Sequence, residues 1–222
     1  MEASPDVVSH KIWDTLLKTH VSPSGAVNYS GFIKDSIQLN QYLKLLGDNP
    51  PQENWSTAAI LAYYINAYNA HTVKLIIENY PVKSIKDIPG AWTKARVPMG
   101  KNTLSLGGIE NSLLRKMNEP RIHFAINCAS ISCPKLLNEA YTATQINAQL
   151  DKVAYSFING KENTITPSHI KLSSIFKWYK KDYIVNNKAN LIAYLNQYST
   201  ITILPSATIS YKDYNWNLNK LY

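Results

Sequence analysis

The segment that most constrains the fold is 56–80 (STAAILAYYINAYNAHTVKLIIENY), which is apolar on nearly every side when it is drawn as a helix. A helix that is apolar all round has to be buried, because a surface helix keeps one polar face. Ser56 is a suitable N-cap, and Pro81 stops the helix. We therefore predict that 56–80 is a central helix around which the remaining elements pack.

Two asparagines interrupt this apolar helix. Asn66 and Asn69 are three residues apart, so they lie on the same face. A buried amide without a partner costs about 1–3 kcal/mol, so both side chains need hydrogen-bond partners. Those partners are either backbone groups, which gives the pair a structural role, or polar side chains of a functional site.

The rest of the chain predicts an α+β fold that is rich in helices. Residues 121–128 (RIHFAINC) alternate apolar and other side chains and are the most convincing strand, with His123 and Asn127 on one face. We expect the central helix to pack against a small, mostly antiparallel sheet. We expect residues 1–55 to be an N-terminal helical extension packed on the core 56–222, the whole forming one compact unit. The other predicted elements are helices over 7–19, from Ser30 to Gly47, after Gly108, from Thr142 or Thr144 to Phe157, from Ser173 and over 188–199, and short strands within 92–106, 161–171 and 201–216.

Composition and charge exclude several classes of protein. Apolar residues make up 45% of the 222 residues and charged residues 17%, which excludes a disordered chain and a coiled coil. No stretch reaches the roughly 20 apolar residues of a membrane-spanning helix, and the first residues, 1–5, lack the features of a secretion signal. The net charge of +8 is concentrated in 82–135 and 161–222 and favours an anionic partner, although lysines that only maintain solubility explain it as well. No nucleic-acid-binding motif is present, so we expect no nucleic-acid partner.

The two cysteines, Cys128 and Cys133, are the first candidates for chemistry. A zinc site would need two further ligands at suitable spacing, so we expect no metal and, without nucleotide-binding motifs, no cofactor. The pair forms a disulfide in an oxidising compartment and free thiols in a reducing one. Cys128 is a candidate nucleophile, but a strand puts about 16 Å between its alpha carbon and that of His123. His71 or His169 could instead supply the base.

A second candidate is a polar cluster between helix and strand. Asn66, Asn69, His123, Asn127 and Glu110 could together orient a polar ligand or form an acid–base site. The alternative is a satisfied hydrogen-bond network that only fixes the packing of the helix.

The loop 129–135 is a third candidate. Its small residues could expose backbone N–H groups to an anion, with Ser130 and Lys135 adding contacts. Ser130 or Ser132 is a weaker candidate for a hydrolase nucleophile, since no G-x-S-x-G motif is present.

Several motifs resemble a bacterial and plant family catalogued as domain of unknown function 547. The resemblance spans about residues 56–216 and implies a protein that is exported, hence periplasmic or extracellular. The order of elements also suggests a distant papain- or transglutaminase-like arrangement, in which a later strand bears Asp or Asn. The motifs are Ile65–Ala70, Tyr80–Ile85, Leu104–Leu106 with Glu110 and Arg115, Pro120–Ser130 with Ser132–Pro134, Phe176–Tyr179 and Tyr214–Trp216.

Three features depart from these patterns. Papain-like enzymes carry a cysteine at the start of the central helix, and 56–80 contains none. Asn111 stands where the family often has a histidine after the glutamate, and Gly107-Gly108 replace acidic residues.

These observations lead to two hypotheses. The first is a hydrolase or acyl-transferase that acts on a peptide-like or cell-envelope substrate, with His123, Cys128 and Glu110 as catalytic residues. Its substrate-binding residues would be Asn66, Asn69, Asn127, Ser130 and Lys135, and Cys133 would be the partner of Cys128 in a possible disulfide. The second is a binding or scaffold module whose Asn/His network is structural and whose basic surface docks an anionic partner.

Overall fold

The computed structural model describes residues 6–221. Met1–Pro5, which belong to the predicted extension and were considered above as a possible secretion signal, lie outside the described residues, as does Tyr222. Among residues 6–221, no helix has the length and apolar character needed to cross a membrane.

Within residues 6–56, three helices precede the central one. They are α1 (Lys11–His20), α2 (Tyr29–Lys34) and α3 (Ser36–Asp48). The sequence predicted a single helix from Ser30 to Gly47, but the chain bends at Asp35 between α2 and α3. The break lets α2 and α3 both pack on the central helix while each keeps its apolar side inward.

The predicted central helix is confirmed as α4 (Thr57–Glu78). The Ser56 hydroxyl accepts a hydrogen bond from the N–H of Ala59 and so caps the helix. Buried side chains occur all round α4, and its main neighbours are α2, α3, the helical segment 106–117 and a later helix, α6 (Ile146–Ile158). The continuous apolar sequence of α4 is therefore explained by the helices that surround it.

The middle of the chain forms a hairpin followed by an irregular helical segment. Strands β1 (Val97–Met99) and β2 (Asn102–Leu104) pair antiparallel, as predicted. The following segment contains α5 (Leu106–Gly108), a π-helical turn (Ile109–Leu113) and a 3-10 turn (Leu114–Met117). The π turn carries Glu110, and such turns often occur at functional sites.

The strand predicted over 121–128 is wrong. Residues Pro120–Phe124 form a 3-10 helix, and the following residues, 125–129, are irregular. Pro120 fixes the first helical position, and the Glu119 carboxylate accepts the N–H of Arg121, so this segment begins like a helix. The alternation that suggested a strand has no exposed face, because His123 and Asn127 are buried along with Ile122 and Phe124.

The last third of the chain completes the α+β fold. Strand β7 (Thr208–Tyr211) pairs in parallel with β4 (His169–Leu172), and β4 pairs antiparallel with β3 (Thr164–Ile165), so this sheet is mixed. Residues 201–204, predicted as a strand, are described by the structure and lie outside any strand. The remaining elements are β3 (Thr164–Ile165), β4 (His169–Leu172), α7 (Ile175–Trp178), β5 (Ile184–Val185), β6 (Lys188–Ala189), α8 (Leu191–Leu195) and β7 (Thr208–Tyr211).

Candidate active site

A cleft of about 330 Å³ brings together three residues that the sequence suggested as catalytic. Glu110 reaches it from the π turn, His123 from the 3-10 helix and Cys128 from the irregular loop that follows. Cys133 also lines the cleft. The wall also contains the aromatic side chains of Tyr68, Trp92, Trp178, Tyr179, Tyr214 and Trp216.

The aromatic wall includes Trp178, Tyr214 and Trp216, which belong to the motifs of the family resemblance but were not predicted from the sequence as parts of a site. The ring of Trp178 lies 4.8 Å from that of Tyr214 and 5.7 Å from that of Trp216, measured between centroids. Trp92 meets Trp216 edge-on at 5.9 Å. Trp178 is 47% exposed, so the rings offer an apolar surface to solvent and to a ligand.

Cys128 is the thiol that the cleft exposes. Its sulfur lies 3.1 Å from Cys133 Sγ, 3.1 Å from the Ser130 hydroxyl and 3.3 Å from the Tyr214 hydroxyl. The pKa of Cys128 is lowered to about 7, chiefly because the Cys133 thiol can donate a hydrogen bond to the thiolate. Burial opposes this shift, the two hydroxyls add to it, and the Glu110 carboxylate opposes it weakly. Cys128 is therefore substantially ionised near neutral pH, and the thiolate is the nucleophilic form.

Cys133 has the opposite character. It is 8% exposed, and burial raises the pKa of its thiol well above the ordinary value, so it stays protonated. The sequence left a disulfide and free thiols open for this pair, and the structure contains two free thiols in contact.

His123 is held by a carboxylate that sequence reasoning missed. Its Nε2 lies 2.8 Å from Oδ2 of Asp182, and its ring stacks on Tyr179 at 3.9 Å. The other ring nitrogen, Nδ1, is buried and has no hydrogen-bond partner in the described part of the chain. Only 2% of His123 is exposed, so the imidazole is reached from the cleft only past its neighbours.

Asp182 also pairs with Arg115. Both guanidinium contacts are short, at 2.6 Å from Nε to Oδ2 and 2.8 Å from Nη2 to Oδ1. Burial raises the pKa of Asp182, but the hydrogen bonds from Arg115 and His123 outweigh burial and hold the pKa well below its usual range. Asp182 is thus a fixed anion that orients the imidazole.

Glu110 accepts hydrogen bonds from two tyrosines. The Tyr179 hydroxyl donates to Oε1, and the Tyr68 hydroxyl lies 3.5 Å from Oε2. Burial and the nearby Glu110 carboxylate raise the pKa of Tyr179, so its hydroxyl remains a donor. Because Tyr179 also stacks on His123, it links the carboxylate to the imidazole.

Asn66 and Asn69 hold the backbone of other segments. The Asn69 amide donates to the carbonyl of Ala125 at 3.0 Å and accepts from the N–H of Asn127 at 2.8 Å. Asn66 makes the same pair of bonds with the backbone of Tyr141, at 2.7 and 3.0 Å. Within residues 6–221 neither side chain lines the cleft, so the structure does not place them with His123 and Cys128. These contacts match the structural alternative that the sequence left open.

The loop residues that were predicted to bind substrate also make contacts within the protein. Asn127 donates to the carbonyl of Pro134 at 2.7 Å and accepts the N–H of Ala129 at 2.8 Å. Ser130 is buried beside the Cys128 sulfur, whereas the Lys135 ammonium lies 3.5 Å from the carbonyl of Pro23 at the surface.

The backbone of this loop does not form the predicted anion nest. The N–H groups of Ala129, Ile131 and Ser132 donate to an Asn127 side-chain oxygen and to the carbonyls of Asn217 and Asn215. Those donors are therefore engaged within the part of the chain that the structure describes.

Residues 52–158 match the sequence model of a family described as "Protein of unknown function, DUF547". This segment is similar to the DUF547 family. The match confirms the resemblance and covers Glu110, His123 and both cysteines, whereas Asp182 and Trp178 come from the chain beyond the DUF547 match. Comparison with curated proteins gives no match, and neither does comparison with solved structures.

Proposed function

We propose that the cleft is the active site of a thiol-dependent hydrolase or acyl-transferase that acts on a peptide-like or cell-envelope substrate. The observation that carries the proposal is the Cys128 thiol, whose pKa is lowered to about 7 in a partly exposed position on an aromatic cleft. Perturbed titratable groups in clefts are typical of functional sites.

In this proposal Cys128 attacks the carbonyl carbon of a bound ester or amide and forms a thioester. The Ser130 and Tyr214 hydroxyls, which surround the sulfur, then turn to the oxygen that gains negative charge in the intermediate. His123, fixed on Asp182 with a free Nδ1, gives a proton to the leaving group and takes one from water or an acceptor substrate. Asp182 acts as a positioning residue, since it contacts the imidazole and not the reacting atoms.

The walls of the cleft favour a substrate with an apolar acyl or side-chain group. Trp178 and Trp216 supply flat apolar surface, and Arg115 and Lys86 lie over aromatic rings at 5.4 and 5.3 Å from the centroids. The Arg115 charge is already paired with Asp182, but the Lys86 ammonium and the net charge of +8 favour a substrate that also carries negative charge, as many cell-envelope components do. Export to the periplasm or beyond, which the family resemblance implies, remains part of this proposal and is testable by cell fractionation.

The test is acylation of the purified protein with p-nitrophenyl acyl esters. We expect a burst of nitrophenol and an acyl group mapped to Cys128 by mass spectrometry. Cys128→Ser should lose the burst, whereas Ser156→Ala, a change at an exposed position on α6, should keep it. Equal turnover by the wild type and Cys128→Ser, with both proteins folded by circular dichroism, would contradict the proposal.

A non-catalytic binding module is a second candidate. It is favoured by the burial of His123 and by the commitment of Asn66 and Asn69 to backbone groups. This alternative predicts that an apolar anionic ligand quenches the fluorescence of Trp178 while no acyl group is transferred to Cys128. Trp178→Phe should reduce the quenching, and Trp55→Phe, away from the cleft lining, is the matched control.

A further inference from the structure

The two thiols form a pair whose geometry suits a second kind of chemistry. Cys128 Sγ and Cys133 Sγ are already in contact at 3.1 Å, and Cys128 is partly exposed in the cleft while Cys133 is buried. We propose that Cys128 and Cys133 together reduce a disulfide substrate bound in the cleft, with Cys128 as the attacking thiol and Cys133 as the resolving thiol. The proposal uses the same cleft and nucleophile as the acyl chemistry, but it does not depend on acyl transfer.

The loop between the cysteines is tied so that the two sulfurs stay together. The Asn127 side chain spans the loop, accepting the N–H of Ala129 and donating to the carbonyl of Pro134. The N–H of Cys128 itself points at Cys133 Sγ at 3.0 Å. Ala129 has a positive φ of 59°, a conformation that non-glycine residues rarely adopt. The fold thus maintains a strained turn whose effect is to bring the thiols into contact.

The two thiols differ in access, as the reaction requires. Both cysteines line the cleft, but Cys128 is partly exposed and Cys133 is buried, so a bulky disulfide meets Cys128 first. Cys133 is only 8% exposed. Its sulfur contacts that of Cys128, but a bulky substrate has little access to it. The sulfur attacked in the second step is therefore that of Cys128 in the mixed disulfide.

The reaction balances with two thiols and one disulfide. The Cys128 thiolate attacks one sulfur of the substrate disulfide RS–SR, forming Cys128–S–SR and releasing RS⁻, which takes a proton from water. Cys133 then attacks Cys128 Sγ, its proton passes to the departing second RS⁻, and the intramolecular disulfide forms. The substrate gains two electrons and the protein loses two, so an external dithiol must reduce the protein for another turnover.

The test uses the reduced full-length protein with excess glutathione disulfide as the probe. The measurements are the glutathione released per protein and the intact mass after the reaction. We expect the wild type to release two glutathiones and to retain none. Cys133→Ala should release one and retain one on Cys128, and Cys128→Ala should release none.

Cys133→Ser provides a second resolving-thiol variant in case Cys133→Ala is unstable, and melting temperatures show which variants are folded. The double variant Cys128→Ser/Cys133→Ser is the background control, because the chain has only these two cysteines. A wild type that stops at the mixed disulfide, or that releases no glutathione, overturns the proposal even if both variants fail to fold. Acyl transfer is not a redox reaction, so the ester assay tests the proposed function and the glutathione assay tests this proposal. Failure of one can therefore be told apart from failure of the other.

Discussion

Replacing Cys133 should change the acidity of a different residue, Cys128. The largest contribution that lowers the pKa of Cys128 to about 7 is the hydrogen bond from Cys133, and Cys133→Ala removes it. Burial then raises the pKa, while Ser130 and Tyr214 still lower it, so we expect the pKa to return to near the ordinary value of about 9. The thiolate present at pH 7 would fall from about half of the molecules to about one in a hundred, roughly a fifty-fold loss.

The assay is the rate of reaction with iodoacetamide as a function of pH, followed by intact mass. The midpoint of the wild-type profile should lie near 7 and that of Cys133→Ala about two pH units higher. Ser130→Ala should shift the midpoint upward by less, because its hydrogen bond contributes less than that of Cys133. An unchanged midpoint in Cys133→Ala would refute the reasoning, since it would show that the thiol contact does not ionise Cys128.

Three further perturbations follow from buried polar groups. Asn69→Ala should lower the free energy of unfolding by about 2–4 kcal/mol in urea titrations, because it leaves two buried backbone groups without partners. A loss below about 1 kcal/mol would contradict the proposed role of Asn69 in holding the backbone of Ala125 and Asn127. Asp182→Asn should lower the free energy of unfolding at pH 7, and the difference from the wild type should become smaller as the pH falls below about 4. The reason is that the pKa of Asp182 is depressed in the folded state, so the contacts of this side chain stabilise the fold only while the carboxylate is ionised. A difference that is constant down to pH 2 would contradict this. Burial and the Lys74 charge lower the pKa of His71 to about 4 in the folded protein. As the pH falls, His71 is therefore protonated in the unfolded state before it is protonated in the folded state. This residue alone should lower the free energy of unfolding of the wild type by about 2–3 kcal/mol between pH 7 and pH 4.5. Thermal melts of His71→Gln should lack that part of the acid loss, and an identical pH dependence would count against it.

The central helix could be predicted because its signal is local and strong. Continuous apolar residues between Ser56 and Pro81 permit few structures other than a buried helix, and α4 has nearly those bounds. The hairpin β1–β2 was likewise predictable from its turn residues. The presence of Asn66 and Asn69 in the helix required buried partners, and the structure provides them in the backbone.

The error at 121–128 has a physical cause. Alternation identifies a strand only if one face is exposed, and here the Asn69 side chain and the surrounding core enclose both faces. The sequence could not reveal that a distant amide would satisfy the Ala125 carbonyl and the Asn127 N–H and thus make an irregular segment stable. The same error made His123 and Cys128 look too far apart, although both line one cleft.

The carboxylate partner of His123 also could not be predicted from local sequence patterns. Asp182 follows two lysines and reads as an ordinary surface acid, and only the fold brings it to Arg115 and His123. The available signal was the expectation, from the papain-like order of elements, that a later segment supplies Asp or Asn. That expectation named a strand, whereas Asp182 lies in a 3-10 turn (Lys180–Asp182).

The most direct test of the account is site-resolved labelling of the reduced native protein at pH 7 with one equivalent of N-ethylmaleimide, followed by peptide mapping. The account predicts that the label is found on Cys128 while Cys133 remains free, because only Cys128 is both ionised and open to the cleft. Equal labelling of the two cysteines, or preferential labelling of Cys133, would contradict it.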